Sequence, residues 1–200
     1  MWKSLRAFEA KHGEHHALTH VKPHNRESTE EVVVVLNKYP ITVFEQIRSS
    51  AFPAYALITF VGIFAPIIAL LQFTMPGLPW ITTGLAAVIW SFYLYEVLHA
   101  LWHENPTTSW KTWIELPIVG RLVKSVYGFH LIHHAHHRSN MAISGFFGLP
   151  VPDWIFGTYY VPEKLPLDNH MTMKRSDYPN PPPPCKLIAW LDSKVGKQGE

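Results

Sequence analysis

The side chains best placed to do chemistry in this sequence are its imidazoles. His12, His15 and His16 form an H-x-x-H-H group, His99 and His103 an H-x-x-x-H pair, and His130, His133 and His134 a second H-x-x-H-H group, with His136 and His137 directly after. Helical neighbours at i, i+4 share a face, so each group can converge on one ion. With His130 as origin, His133 falls at about −60°, His134 at about +40° and His137 at about −20° around a helix, while His136 falls at about −120° and points elsewhere. The first four continue an apolar stripe of Val119, Leu122, Val123 and Val126. Four imidazoles on what reads as a buried face need partners, because a polar group buried unpaired costs about 1–3 kcal/mol. Metal ions would supply them. Imidazole suits zinc, copper, iron or nickel. A single zinc takes at most about four ligands, so eight clustered histidines point to two ions. Cys185 is the one cysteine, which disfavours thiolate or iron–sulfur ligation by this chain alone. Glu96, three residues before His99, reads either as a carboxylate that orients a ligating ring or as an interfacial charge reaching water.

The elements that must position these rings are two long apolar runs. Residues 51–73 carry no charge, and about 20 such residues cross a bilayer core as a helix. Pro53 and Pro66 are compatible with that, since membrane helices tolerate proline. After Met75-Pro76-Gly77-Leu78-Pro79 a second run extends from Trp80 to about Leu98, and so short a connection makes the pair antiparallel. Seven Lys or Arg precede the first run, ten follow the second and none lies between. By the positive-inside rule both termini are cytoplasmic and the turn is outside. All histidines lie on the two cytoplasmic flanks, which a hairpin brings to one membrane face. Two core helices of a soluble protein are the competing reading. Residues 25–50 read as a connector with a Val run (Val32–Val35) and an interfacial helix near Ile41–Arg48. Residues 105–117 read as a polar loop, and a helix is expected from Ile118 to about His137. Past Pro162 the prolines predict an irregular tail, with a short helix at Lys186–Leu191. The expected fold class is all-α: an integral membrane hairpin with a histidine-rich helical cap, residues 1–162, and a tail, 163–200. The formal charge of +2 and the lack of an aromatic-interleaved basic stripe argue against nucleic acid.

These residues resemble the fatty acid hydroxylase/sterol desaturase superfamily, which includes the carotene hydroxylases. The resemblance rests on Trp2 and Phe8 before His12-Gly13-Glu14-His15-His16, on the hairpin, and on Tyr95-Glu96-Val97-Leu98-His99-Ala100-Leu101-Trp102-His103. It continues through His130-Leu131-Ile132-His133-His134, Gly145-Phe146-Phe147-Gly148 and Asp153-Trp154-Ile155-Phe156-Gly157-Thr158, where Asp-Trp replaces the commoner Trp-Asp. It implies a membrane oxidoreductase with a di-iron centre, zinc being able to substitute in purified form. Such an enzyme uses O2 to hydroxylate or desaturate a lipid such as a fatty acyl chain, sterol or carotenoid. Electrons come from a separate ferredoxin, or a small cytochrome with its reductase. His12, His15, His16, His99, His103, His130, His133 and His134 take the ligand positions, with His137 a ninth candidate. Family members also carry an earlier histidine pair and hairpin. Only eleven residues precede His12, none of them histidine, so the chain is expected to be shortened at its start or completed otherwise, with His20 and His24 as substitutes. One ion is then held less firmly than the other. The alternative is a non-catalytic relative that binds metal or acts as a membrane assembly partner.

Overall fold

The computed structural model describes residues 2–53, 55–142 and 149–195. Helix α1 (Trp2–Leu18) leads into strands β1 (Val21–Pro23) and β2 (Val32–Asn37) and helix α2 (Phe44–Ser50). The long pair α3 (Ala56–Thr74) and α4 (Trp80–Trp102) follows. A π-type turn (Pro106–Trp110) precedes α5 (Lys111–Ile114), α6 (Gly120–Ala135), α7 (Val151–Phe156), β3 (Met171–Lys174), a 3-10 turn (Arg175–Asp177) and α8 (Lys186–Val195).

The chain is mostly helical, but the all-α expectation is corrected by a three-stranded antiparallel sheet in the order β1-β2-β3. The Val run is its central strand. Val33 and Val35 are fully buried, while Val32, Val34 and Leu36 are only half-buried, the two-residue period that a pleated strand imposes. Valine suits such a surface because its branched side chain packs well in extended backbone. The third strand comes from the Pro-rich segment expected to be irregular: Met173 pairs with Val33 and Met171 with Val35. The same segment sends Leu165 into the core, against Gly128 of α6, where an added Cβ would lie 2.9 Å from both Leu165 methyls. The core comprises Val21, Val33, Val35, Tyr39, Trp102, Tyr127, Leu131, Ile132, Leu165 and Met173. It forms the floor beneath the histidines.

α3 and α4 are each long and apolar enough to cross a membrane. Neither is a buried core helix: the most apolar stretch of α3 is 6% buried and that of α4 not at all. Gly84 lets them approach, since a Cβ there would sit 2.7 Å from an Ile68 side-chain carbon. At about 1.5 Å per residue, α4 is about 35 Å long, with Trp80 and Trp102 at its ends.

Helix α6 departs from its expected face. It ends at Ala135, with His136 in extended backbone, so His137 is not on the helix. Its first half is open: Val119, Leu122 and Val126 are 41%, 66% and 37% exposed. Its second half, Tyr127 to His134, is buried on every side. The stripe and the histidines therefore meet different surroundings. The helix expected near Ile41–Arg48 is α2, with Phe44 and Ile47 exposed, and α8 exposes Leu187, Trp190 and Leu191.

Candidate metal centre

Three elements deliver the imidazoles: the last turns of α1, the Trp102 end of α4 and the buried half of α6. They assemble eight rings in two groups, whose donor atoms within each group all lie within 4.8 Å of one another. His15, His99, His103, His130 and His134 form the first and are all buried. His12, His16 and His133 form the second, in which His12 is exposed. The groups abut, with the His16 and His134 ring centroids 4.2 Å apart. The seven buried histidines could hold a metal ion.

Proton positions show how this nest could accommodate a cation. The Nδ1–H of His103 donates to the Tyr39 carbonyl at 2.7 Å. Thr19 Oγ1 donates its only proton to the His15 carbonyl, so the His134 Nδ1 beside it, at 3.0 Å, must be the donor to that hydroxyl. Ser50 Oγ likewise donates to the Gln46 carbonyl and accepts from His15 Nδ1 at 2.9 Å. Three rings thus carry their proton on Nδ1 and turn bare Nε2 lone pairs inward. Yet His15 Nε2 and His103 Nε2 lie 3.1 Å apart. Two neutral rings in these tautomers have no hydrogen between them, and their lone pairs repel.

Charging the rings does not relieve this. Burial pushes the His15 pKa far down, and nearby His103 and His99 push it further. Burial lowers His103 to about 4 despite its bond to the Tyr39 carbonyl. His130 and His134 are lowered by burial and by their neighbours. A shared ion would satisfy the lone pairs without adding protons. Contacts of 3.1 Å also link His99 to His15, His130 to His103, and His134 to His130 through Nε2. Two nitrogens at about 2.1 Å from one ion are about 3.0 Å apart at a right angle and about 3.4 Å apart in a tetrahedron. The observed spacing fits the right-angled arrangement, and five donors exceed a tetrahedral set.

The second group is looser. His12 and His16 approach through Nε2 at 3.0 Å. The Nδ1–H of His133 donates to the Ser139 carbonyl at 2.8 Å, and its buried Nε2 has no hydrogen-bond partner among the described residues, as a ligand nitrogen should. Burial lowers His133 to about 4 and His16 to about 2. His137 belongs to neither group and is exposed, although its ring lies 4.3 Å from that of His16.

No family model, curated protein or solved structure matches the chain. The site therefore stands on its geometry alone.

Other expected residues fall as follows. Glu96 Oε1 accepts from the Phe52 backbone N–H at 2.9 Å, tying α4 to the segment between α2 and α3, and among the described residues no hydrogen bond joins it to an imidazole. His20 bonds the Ala17 carbonyl, and His24 and His170 flank Glu27; none joins either group. Gly145-Phe146-Phe147-Gly148 lies outside the described residues. Asp153, in the Asp-Trp step, is buried and accepts from the Met141 and Ala142 N–H groups and from Thr158 Oγ1. It ties residues 141–142 to α7. Sequence reasoning missed Thr19, Ser50, Tyr39 and Ser139, which fix the rings. Thr19 stands four residues after His15, a spacing that could have flagged it; the others left no local signal.

Proposed function

We propose that this chain is an iron-dependent membrane oxidoreductase of the histidine-box type, using O2 to hydroxylate or desaturate a lipid. The observation that carries the reading is the pair of abutting histidine groups at one end of an exposed apolar hairpin. His15, His99, His103, His130 and His134 would hold one ion and His12, His16 and His133 the other. When bound, the iron pair supplies the activation of O2, with two electrons from a separate ferredoxin or small cytochrome. Five-donor, right-angled spacing favours iron over zinc.

The protein's own part is to orient and to exclude water. A cavity of about 500 Å³ runs between α3 and α4, lined by Phe60, Phe64, Ile68 and Phe92 and ending at Phe52 and Tyr95. Phe52 stacks on Tyr95 at 4.1 Å, and Tyr95 on His99 at 4.9 Å. A smaller pocket shares Phe52 and Tyr95 with His12 and His15. An apolar chain in the groove would thus meet the imidazoles through this aromatic pair, which supports a lipid substrate.

The test is to purify the chain from membranes, count bound iron, and assay lipid extracts for hydroxylated or desaturated product formed only with O2 and reductant. A folded preparation without metal would end the reading. The second group, with three donors of which His12 is exposed, favours one other reading, a relative that holds a single ion and does not turn over. One metal per chain and no product would select it.

A further inference from the structure

Thr19 and Ser50 occupy equivalent positions around the five-donor group. Thr19 is fully buried just past the end of α1, and its hydroxyl bridges the His15 carbonyl of α1 and His134 Nδ1 of α6. Ser50 closes α2 and bridges the Gln46 carbonyl and His15 Nδ1. In both, the hydroxyl's single proton goes to a backbone carbonyl, which can only accept. The imidazole is left one option, to donate, and its Nε2 stays unprotonated. Free histidine has no such constraint, and a ring protonated on Nε2 cannot ligate through that atom.

We infer that Thr19 and Ser50 are positioning residues that lock His134 and His15 in the metal-binding tautomer and set their ring planes; the inference rests on the five-donor group being a metal site. His103 is locked differently, by the Tyr39 carbonyl, which no side-chain substitution removes. The two hydroxyls are therefore the replaceable part of the arrangement. They also tie α1 to α2 and α6, so the same two atoms set ring orientation and, with the Gln46 amide bonded to the Leu18 carbonyl, help to seat α1.

The experiment uses the full chain in detergent, stripped with chelator and labelled with ¹⁵N-histidine. In the metal-free protein the ring nitrogen shifts of His15 and His134 should report protonated Nδ1. Thr19→Val should give a tautomer mixture at His134, and Ser50→Ala one at His15. Titrated with Co(II), both variants should bind about 10–100-fold more weakly at the five-donor group, whereas Thr19→Ser should return near the parent. Binding is measured well below each variant's melting temperature, because a merely structural role would lower melting without changing the affinity of the folded protein. If Thr19→Val does not fold, Ser50→Ala and the parent's nitrogen shifts carry the test. Parent rings protonated on Nε2, or unchanged Co(II) affinity in folded variants, would overturn the inference. A parent that shows the Nδ1–H tautomers yet takes up no Co(II) would instead overturn the metal reading.

Discussion

At the residue scale, the two groups should respond separately to substitution. His103→Ala or His134→Ala removes a donor from the five-membered set and leaves its partners' lone pairs buried, so metal and activity should be lost together. His133→Ala takes one of three donors from the second group; metal analysis should find about one ion fewer per chain while the other is retained. His170→Asn should change neither quantity, because His170 is exposed and its φ of 57° suits asparagine. Equal loss in all three classes would contradict the grouping. The pH response has a defined sign. His103 and His133 fall from 6.5 to about 4 on folding, so between those values the unfolded chain binds more protons. Stability of the chelator-stripped protein should then be level above pH 6.5 and fall below it, each histidine contributing about 1.4 kcal/mol per pH unit within the window. Urea midpoints at pH 8, 7, 6 and 5 read this directly, and midpoints unchanged down to pH 5 would mean that these rings are not buried as described.

At the element scale, what was legible in the sequence was local. The hairpin could be read because run length and absence of charge are properties of contiguous residues. The histidine groups could be read because i, i+4 spacing is a property of one helix, and α1 and α6 do present them so. The sheet could not, because β2 pairs with a strand more than a hundred residues away, and four consecutive valines carry no visible two-residue period. The α6 stripe misled for a related reason: a period of 3.6 shows that one face is apolar without showing what covers it. Val119 and Leu122 are as apolar as the residues of a core but face outward. The pairing across the histidine cluster was equally hidden, since Thr19 and Ser50 meet His134 and His15 only after folding. The Pro-rich segment offers the sharpest check. Leu165 is 3% exposed and packs on α6 beside the histidines. Leu165→Ala should cost about 2–5 kcal/mol, measured by urea unfolding, and should weaken metal retention through α6. A change within about 0.5 kcal/mol, the range of ordinary surface substitutions, would mean that the segment is not part of the core.

At the scale of the whole molecule, the question is which solvent the apolar hairpin meets. Phe73 is 84% exposed, Ile58 76% and Leu70 61%, an apolar surface that water would not tolerate without aggregation but that lipid would accept. The length of α4, about 35 Å, slightly exceeds a hydrocarbon core of about 30 Å, and two of its three tryptophans, Trp80 and Trp102, stand at its ends. Arg and Lys avoid the turn and populate both flanks, so Gly77 and Glu27 should lie on opposite sides of the membrane. Both are exposed, and Gly77 has open space around it, so a cysteine at either position should be reactive without disturbing the fold. In a Cys185→Ser background, Gly77→Cys and Glu27→Cys would be probed with an impermeant maleimide on sealed vesicles of each orientation. Vesicles with the cytoplasmic face outward should label Glu27→Cys and spare Gly77→Cys, and inverted ones should do the reverse. Labelling of both from one side would return α3 and α4 to a peripheral apolar surface. It would also weaken the proposal that both histidine groups lie at a membrane face, because that proposal takes a crossing hairpin to set the Trp102 end of α4, with His99 and His103, against one leaflet.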